Sequence, residues 1–344
     1  MERFAGALPV TEQPDPDCPD DGVVIAVRAC GVCRSDHHAW KGTDPDVVLP
    51  HVMGHELAGE VVAVGADCRR IQVGDRVTAP FILGCGTCVD CTAGQATVCG
   101  RQEVIGFTMW GAFAELVAVP RADANLVAIP DELDFVSAAG LGCRVTTAWR
   151  ALVDRAALQE GEWLAIHGAG GVGLSATMIA VALGARVVAV DVSDAALEFA
   201  RALGAEAVVS AREHPDVGAA VRDATGGGSH VSIDALGVDA TFQNSLRSLR
   251  PLGRHVQVGM PVGDHASVSL ELLSLVYARQ LSIHGMRGLD AHGFGSLLEF
   301  VADGRIDPRR LVTQRIALSD AGAALSAMDG VQPPGITVID RLDA

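Results

Sequence analysis

The run Ile166–Gly173, IHGAGGVG, constrains this chain more than any other stretch. A short apolar run, Trp163–His167, leads into it, and the small and apolar residues of Ser175–Leu183 behind it read as a helix. A glycine turn joining a strand to a helix brings an uncapped helix N-terminus to an anionic group with no side chain in the way. Gly168 permits the tight turn, Gly170 lets backbone approach a pyrophosphate, and Gly173 allows the helix to pack closely on the strand. Gly171 and Val172 open the helix whose free N–H groups face the phosphates. In a chain with 39 glycines the pattern alone carries little, so its neighbours decide. The next strand, Arg186–Val190, ends in Asp191, 18 residues after Gly173. A carboxylate there accepts hydrogen bonds from the adenosine ribose hydroxyls and repels a 2′-phosphate. Val192 and Ser193 offer no cation, so NAD rather than NADP is the expected cofactor.

The chain divides by pattern. Residues 1–150 contain short β runs separated by Gly and Pro, namely Val23–Val27, Leu57–Val64, Arg76–Pro80 and Phe113–Val119. Residues 151–286 alternate apolar runs (Trp163–His167, Arg186–Val190, Ala207–Ser210, His230–Asp234, His255–Val258) with helical patterns such as Ala195–Leu203. That alternation predicts parallel βαβ units, hence an α/β doubly wound sheet beside a β-rich domain. Residues 287–344 break the pattern, with a helix near Phe294–Asp303 and a last strand near Thr337–Asp340.

Cysteine placement is uneven. GCGTCVDCTAGQATVC puts Cys85, Cys88, Cys91 and Cys99 on one Gly-containing loop, where four thiolates can close around a tetrahedral metal with no open position. Such a site is structural. Zinc is the expected ion; an iron–sulfur cluster is the competing reading, because spacing alone does not choose the metal. Nine cysteines without a secretory signal favour thiols and metal ligands over disulfides, and a cytoplasmic location is expected. The net charge of −16 argues against a nucleic-acid partner, and no apolar run is long enough to suggest a membrane span.

A second group of ligand-type residues is scattered over CGVCRSDHH (Cys30–His38), MGHELAGE (His55, Glu56) and GLGCRVTTAWRAL (Cys143). Two thiolates and one imidazole would leave a zinc coordination position open for water or substrate. Over essentially its whole length the chain resembles the zinc-containing medium-chain alcohol dehydrogenases. GVCRSDHH, GHE, the four-cysteine lobe, GLGC and GAGGVG occur in that family's order. The resemblance implies a GroES-like catalytic domain, an inserted Rossmann domain and an active site in the cleft between them. It also implies Cys33, His55 and Cys143 as ligands of a catalytic zinc, with Asp36 orienting His55 and Glu56 a carboxylate able to approach the metal. In this scheme zinc activates the alcohol oxygen, and Ser35 relays the proton through the cofactor ribose to His38. Arg34 pairs with the pyrophosphate, while Thr147 and Val172 pack at the nicotinamide end. Phe81 and Trp110 fall where the family builds its substrate pocket, which favours apolar or aromatic alcohols. One departure is Gly335–Ile336, where many members carry a pyrophosphate-binding arginine after the glycine. Arg34 or Arg287 could replace it, or the cofactor could bind more weakly.

The expected function is therefore hydride transfer between a primary or secondary alcohol, or its carbonyl, and NAD(H). Two zinc ions per chain and a homo-oligomer, dimer or tetramer, pairing near Leu281–Gly285 are expected with it. A zinc reductase of activated C=C or C=N bonds is the alternative within enzymes. Outside them stand a zinc-ribbon recognition module and a non-catalytic NAD-binding regulator. His37 and His51 are read as surface histidines and Cys30 as a buried thiol outside the ligand set.

Overall fold

The computed structural model describes residues 1–330 and 333–342. Thr147–Arg287, joined by Pro333–Gly335, forms one compact unit, and the flanking segments form the other.

Among the described residues, the flanking unit is built on a seven-stranded sheet. Its central strand, Val23–Val32, lies antiparallel to Glu56–Val64, to Leu116–Val119 and to Ile336–Arg341. Arg76–Thr78 and Val127–Ala128 extend one side, and Val312–Ala317 pairs in parallel with Ile336–Arg341 on the other. Register shifts after Val24 and Val27 bend the central strand, as bulges do. Val23, Ile25, Val27, Leu57, Val61, Val77, Val117 and Val119 fill the interior. These are mostly β-branched residues that suit a pleated, half-buried surface. The sequence predicts this strand only as far as Val27, yet it continues to Val32 because Cys30 and Gly31 find partners on two neighbours. That extension delivers Cys33 at the strand's end.

The other unit holds six parallel strands in the order Ala207–Ser210, Arg186–Asp191, Trp163–His167, Ser229–Asp234, Leu249–Gln257, Ser282–Gly285. Chain order runs outward from Trp163–His167 to one edge and then restarts beside it toward the other. This reversal makes a crevice at the carboxyl end of Trp163–His167, the switch point at which such sheets bind ligands. Leu164, Ala165 and Ile166 are fully buried, and the helices Gly171–Ala182 and Asp239–Ser248 pack against their strand. Each large apolar side chain removed from water there stabilises the fold by about 2 kcal/mol before entropic costs. The sheet is a Rossmann-type doubly wound sheet. Among the described residues no helix is long and apolar enough to cross a membrane.

Candidate active site

Cys33 ends the central strand and starts the helix Arg34–Lys41. Asp36, at the third helical position, turns back so that its Oδ2 accepts from the Cys33 backbone N–H at 2.9 Å. This fixes the helix start, where backbone N–H groups lack internal partners. The other oxygen, Oδ1, accepts from His55 Nδ1 at 2.8 Å and from the Gly54 N–H at 3.3 Å. Asp36 and His55 are both buried, and the carboxylate charge holds the imidazole well above its usual pKa against the opposing effect of burial.

His55 Nε2 is buried without a hydrogen-bond partner. Such an orphan costs free energy unless something occupies its lone pair. The ligand atoms of Cys33, His55, Glu56 and Cys143 lie within 4.8 Å of one another, and all four residues are buried. A hydrogen bond from the Cys143 thiol pulls Cys33 well below its usual pKa, and the same contact pushes Cys143 up. One thiolate, one thiol and one imidazole with its outer nitrogen already committed form a donor set that fits zinc. Cys30 is buried one residue before Gly31 and lies outside this group.

Cys143 rides on a π-helical turn, Leu141–Val145, and Arg144 comes with it. Sequence reasoning missed Arg144, although an arginine inside the apolar run GLGCRV was a usable signal. Its Nε donates to Glu56 Oε1 at 2.9 Å and its Nη2 to Glu56 Oε2, so the pair is bidentate and buried. Burial pushes the Glu56 carboxyl up to about 7 despite the opposing Arg144 charge.

Around His55 stand two rings, Phe81 at 5.7 Å and Phe107 at 5.2 Å between centroids, both edge-on. Phe107 was also missed; it sits in the GFTMWGAF stretch from which Trp110 was chosen. Trp110 is itself 46% exposed and donates from Nε1 to the Pro50 carbonyl. It lines a groove of ≈ 410 Å³ with Val10, Pro16 and His51, a set that includes none of the ligand residues.

Ser35 and His38 lie three residues apart on the helix Arg34–Lys41, hence on one side of it. The Ser35 hydroxyl is 3.9 Å from Cys33 Sγ. Burial, then the charges of His37 and Arg34, lowers His38 below its usual pKa. The Arg34 guanidinium donates to the Met328 carbonyl at 2.6 Å. His37 and His51, expected at the surface, are buried. His37 packs against the Trp40 ring and pairs through Nε2 with Asp329 at 2.9 Å. His51 lies with its Nε2 unpartnered beside the Trp110 groove.

The lobe brings its four sulfurs together: Cys85 and Cys91 are 3.8 Å apart, Cys88 and Cys99 3.7 Å. A tetrahedron with zinc–sulfur bonds of about 2.3 Å has edges of about 3.8 Å, so the spacing fits zinc. Backbone N–H groups of Cys88 and Arg101 point at Cys85 and Cys99 sulfurs, and Arg101 Nη2 donates to Cys85 at 3.0 Å. Backbone hydrogen bonds from Thr87 and Cys88 lower Cys85 to about 5, while burial raises Cys91 to about 12. Asp290 pins the lobe by accepting from the Ala96 N–H at 3.0 Å.

In the parallel-sheet unit the turn after Trp163–His167 has Gly168 at φ +98°. A Cβ on Gly173 would meet the Gly168 carbonyl oxygen at 1.9 Å, whereas one on Gly170 would meet nothing within 4 Å. The first glycine is therefore needed by the turn and the third by packing; the second leaves open space before the helix Gly171–Ala182. Val172 and Gly171 are half-buried at its first turn. Asp191 closes the neighbouring strand, its two oxygens accepting from the Ala169 N–H at 2.7 Å and the Ser193 N–H at 2.8 Å. Thr147 is buried with Oγ1 unpartnered. Ile336 is buried in its strand, and its apolar side chain supplies no cation for a phosphate.

A family model described as the alcohol dehydrogenase GroES-like domain matches residues 19–131, and one described as zinc-binding dehydrogenase matches residues 171–303. An alcohol dehydrogenase of Geobacillus stearothermophilus is 39% identical over 264 residues, 76% of this chain and 77% of that protein. A second from the same organism is 35% identical over 90% of this chain and 89% of its own length. The solved alcohol dehydrogenase TADH from Thermus sp. ATN1 matches with a TM-score of 0.91 at 31% identity, over 99% of this chain and 98% of that one. With both domain types matched and the donor sets assembled, the chain belongs to the zinc-containing medium-chain alcohol dehydrogenase family and is an oxidoreductase.

Proposed function

We propose that this enzyme moves hydride between NAD(H) and a primary or secondary alcohol, or its aldehyde or ketone. In this reading Cys33, His55 and Cys143 hold a catalytic zinc, and Cys85, Cys88, Cys91 and Cys99 a structural one. The observation that carries it is the orphaned Nε2 of His55 beside two sulfurs, with Nδ1 already bound to Asp36. Bound there, zinc would supply Lewis acidity toward the substrate oxygen, and NAD would accept or give the hydride.

The chain's own groups do the rest. Ser35 would accept the hydroxyl proton of the substrate, and His38, on the same side of the helix, would hand it on to solvent. His38, held below its usual pKa, is neutral near pH 7 and free to accept a proton. Asp36 keeps the His55 tautomer fixed. The buried Thr147 hydroxyl and Val172 contact the nicotinamide end, and the Gly168–Gly173 turn receives the pyrophosphate. Asp191 receives the adenosine ribose, which selects NAD. Arg34 would exchange the Met328 carbonyl for a phosphate oxygen, since Ile336 has nothing to offer one. The rings of Phe81 and Phe107 dry the surroundings of His55, which favours apolar or aromatic alcohols. Trp110, in a groove that includes none of the ligand residues, is left out of this pocket reading. The exposed edge strand Ser282–Gly285, with Leu272, Leu273 and Tyr277 open to solvent nearby in sequence, supports self-association of the chain.

The test is absorbance of the reduced nicotinamide with NAD and a panel of small, bulky and aromatic alcohols, with and without a zinc chelator. Chelator-sensitive reduction, strongest on apolar alcohols, is expected. A folded, zinc-loaded protein that turns over no alcohol or carbonyl in either direction would overturn the assignment.

A further inference from the structure

Two of the proposed ligands are each followed by a charged residue, and these two residues meet. His55 precedes Glu56, Cys143 precedes Arg144, and the Glu56–Arg144 fork joins the two segments inside the protein. The Glu56 carboxylate nonetheless stays within 4.8 Å of the ligand atoms of Cys33, His55 and Cys143. It is therefore a fourth donor in reach of the metal position, with both oxygens engaged elsewhere. The room for this arrangement is built in. Gly31 faces Glu56 in the sheet register, and a Cβ on it would meet Glu56 Oε2 at 2.0 Å and Arg144 Nη2 at 2.8 Å.

Charge balance points the same way. With a divalent ion bound, Cys33 and Cys143 would both be thiolates, and together with an ionised Glu56 they would carry three negative charges against the ion's two. Arg144 supplies the remaining positive charge and, being planar, engages both carboxylate oxygens at once. Without it, the uncompensated carboxylate would find its nearest positive charge in the metal.

We propose that Arg144 is a positioning residue that holds Glu56 out of the coordination sphere and so keeps the fourth position beside Cys33, His55 and Cys143 open to exchangeable ligands. This rests on the zinc reading given above, and the experiment separates the two. The catalytic ion is replaced by Co²⁺, and its visible ligand-field bands are recorded while imidazole, an exogenous ligand, is titrated in. The wild-type protein should show thiolate–cobalt bands that shift on imidazole binding. In Arg144→Met the starting bands should already differ, and imidazole should bind at least about tenfold more weakly, the scale on which outer partners of metal ligands act. Adding Glu56→Gln to that variant should restore imidazole binding to near the wild-type value, which a merely structural role of Arg144 would not do. Arg144→Lys keeps the charge without the fork and should lie between; it carries the test if Arg144→Met does not fold. Absence of cobalt–thiolate bands in the wild type would sink the metal reading itself. Normal wild-type bands with unchanged imidazole affinity in the Arg144 variants, or no rescue by Glu56→Gln, would overturn the positioning role alone.

Discussion

The Asp36 carboxylate accepts from His55 Nδ1 at 2.8 Å while its second oxygen accepts from the Cys33 N–H, so one buried side chain orients one proposed ligand and anchors the backbone of another. Asp36→Asn keeps the shape but removes the charge and one acceptor. The one remaining oxygen cannot accept from both His55 Nδ1 and the Cys33 N–H, so the hold on the imidazole tautomer weakens. Zinc affinity at this site is expected to fall by about 10- to 100-fold, as measured by competition with a chromophoric chelator. Unaltered affinity in the folded variant would mean that the carboxylate serves only the helix start.

The lobe makes a different demand. Its four sulfurs are spaced for one ion, and the residues between them form little regular structure of their own beyond the short turns Val89–Thr92 and Ala96–Val98. Metal binding and local folding are therefore one event there. Cys91→Ser should lower zinc content from about two to about one per chain and reduce the thermal midpoint by at least about 5 °C. Alcohol turnover at room temperature should largely survive. Metal analysis together with a melting curve checks both, and two retained zinc ions would remove the assignment of the lobe.

The parts of this site that could be seen in the sequence are those whose geometry is local. Four cysteines on one loop converge because the loop is short, and Gly168, Gly170 and Gly173 act within a single strand–turn–helix step. The strand Trp163–His167 was legible because a parallel strand buried on both faces is apolar throughout, whereas the exposed edge near Leu281–Gly285 was reached only through the family resemblance. Arg144 was not, because its partner Glu56 lies 88 residues away and no local pattern links them. The buried state of His37 was hidden for the same reason, since Asp329 is 292 residues distant. The extra length of the strand to Val32 came from pairing with Ile336–Arg341, at the far end of the chain.

Acid should destabilise the parallel-sheet unit by a defined route. Burial holds His167 down to about 3 and His255 down to about 4, against an ordinary 6.5. His255 sits between Ser245, Ser232 and Gln257, with the Asp234 charge offsetting burial only in part, and His167 faces Ser248. Below pH 6.5 the unfolded chain takes up protons that the folded chain refuses. Stability is thus fully present above 6.5 and is lost as pH falls toward 4. By pH 5 the two together cost up to about 4 kcal/mol. His230 and His284, in the same unit, are also held low and steepen the slope. Guanidinium unfolding at pH 7.5 and pH 5 measures it, and His255→Gln should flatten the dependence. Acid release of bound metal affects both proteins alike, so their difference isolates the histidine. Equal slopes would show that His255 is protonated in the folded state.

In the proposed reading, cofactor choice turns on Asp191. Its two oxygens already accept from Ala169 and Ser193, which holds the carboxylate at the end of its strand beside the glycine turn. A negative group held there accepts from ribose hydroxyls and opposes a phosphate in the same place. Asp191→Gly removes that charge, and Ser193→Arg adds a cation two residues on. A charge-assisted hydrogen bond gained with the new arginine is worth about 1.5–3 kcal/mol, or roughly ten- to a hundredfold. The double variant should shift the kcat/KM ratio for NADP over NAD by at least that much, with most of the change in KM. Removing Asp191 also frees two backbone N–H groups, so thermal stability is measured alongside to separate a loosened turn from altered recognition. A stable double variant with the wild-type cofactor ratio would place selection elsewhere and take Asp191 out of the cofactor site.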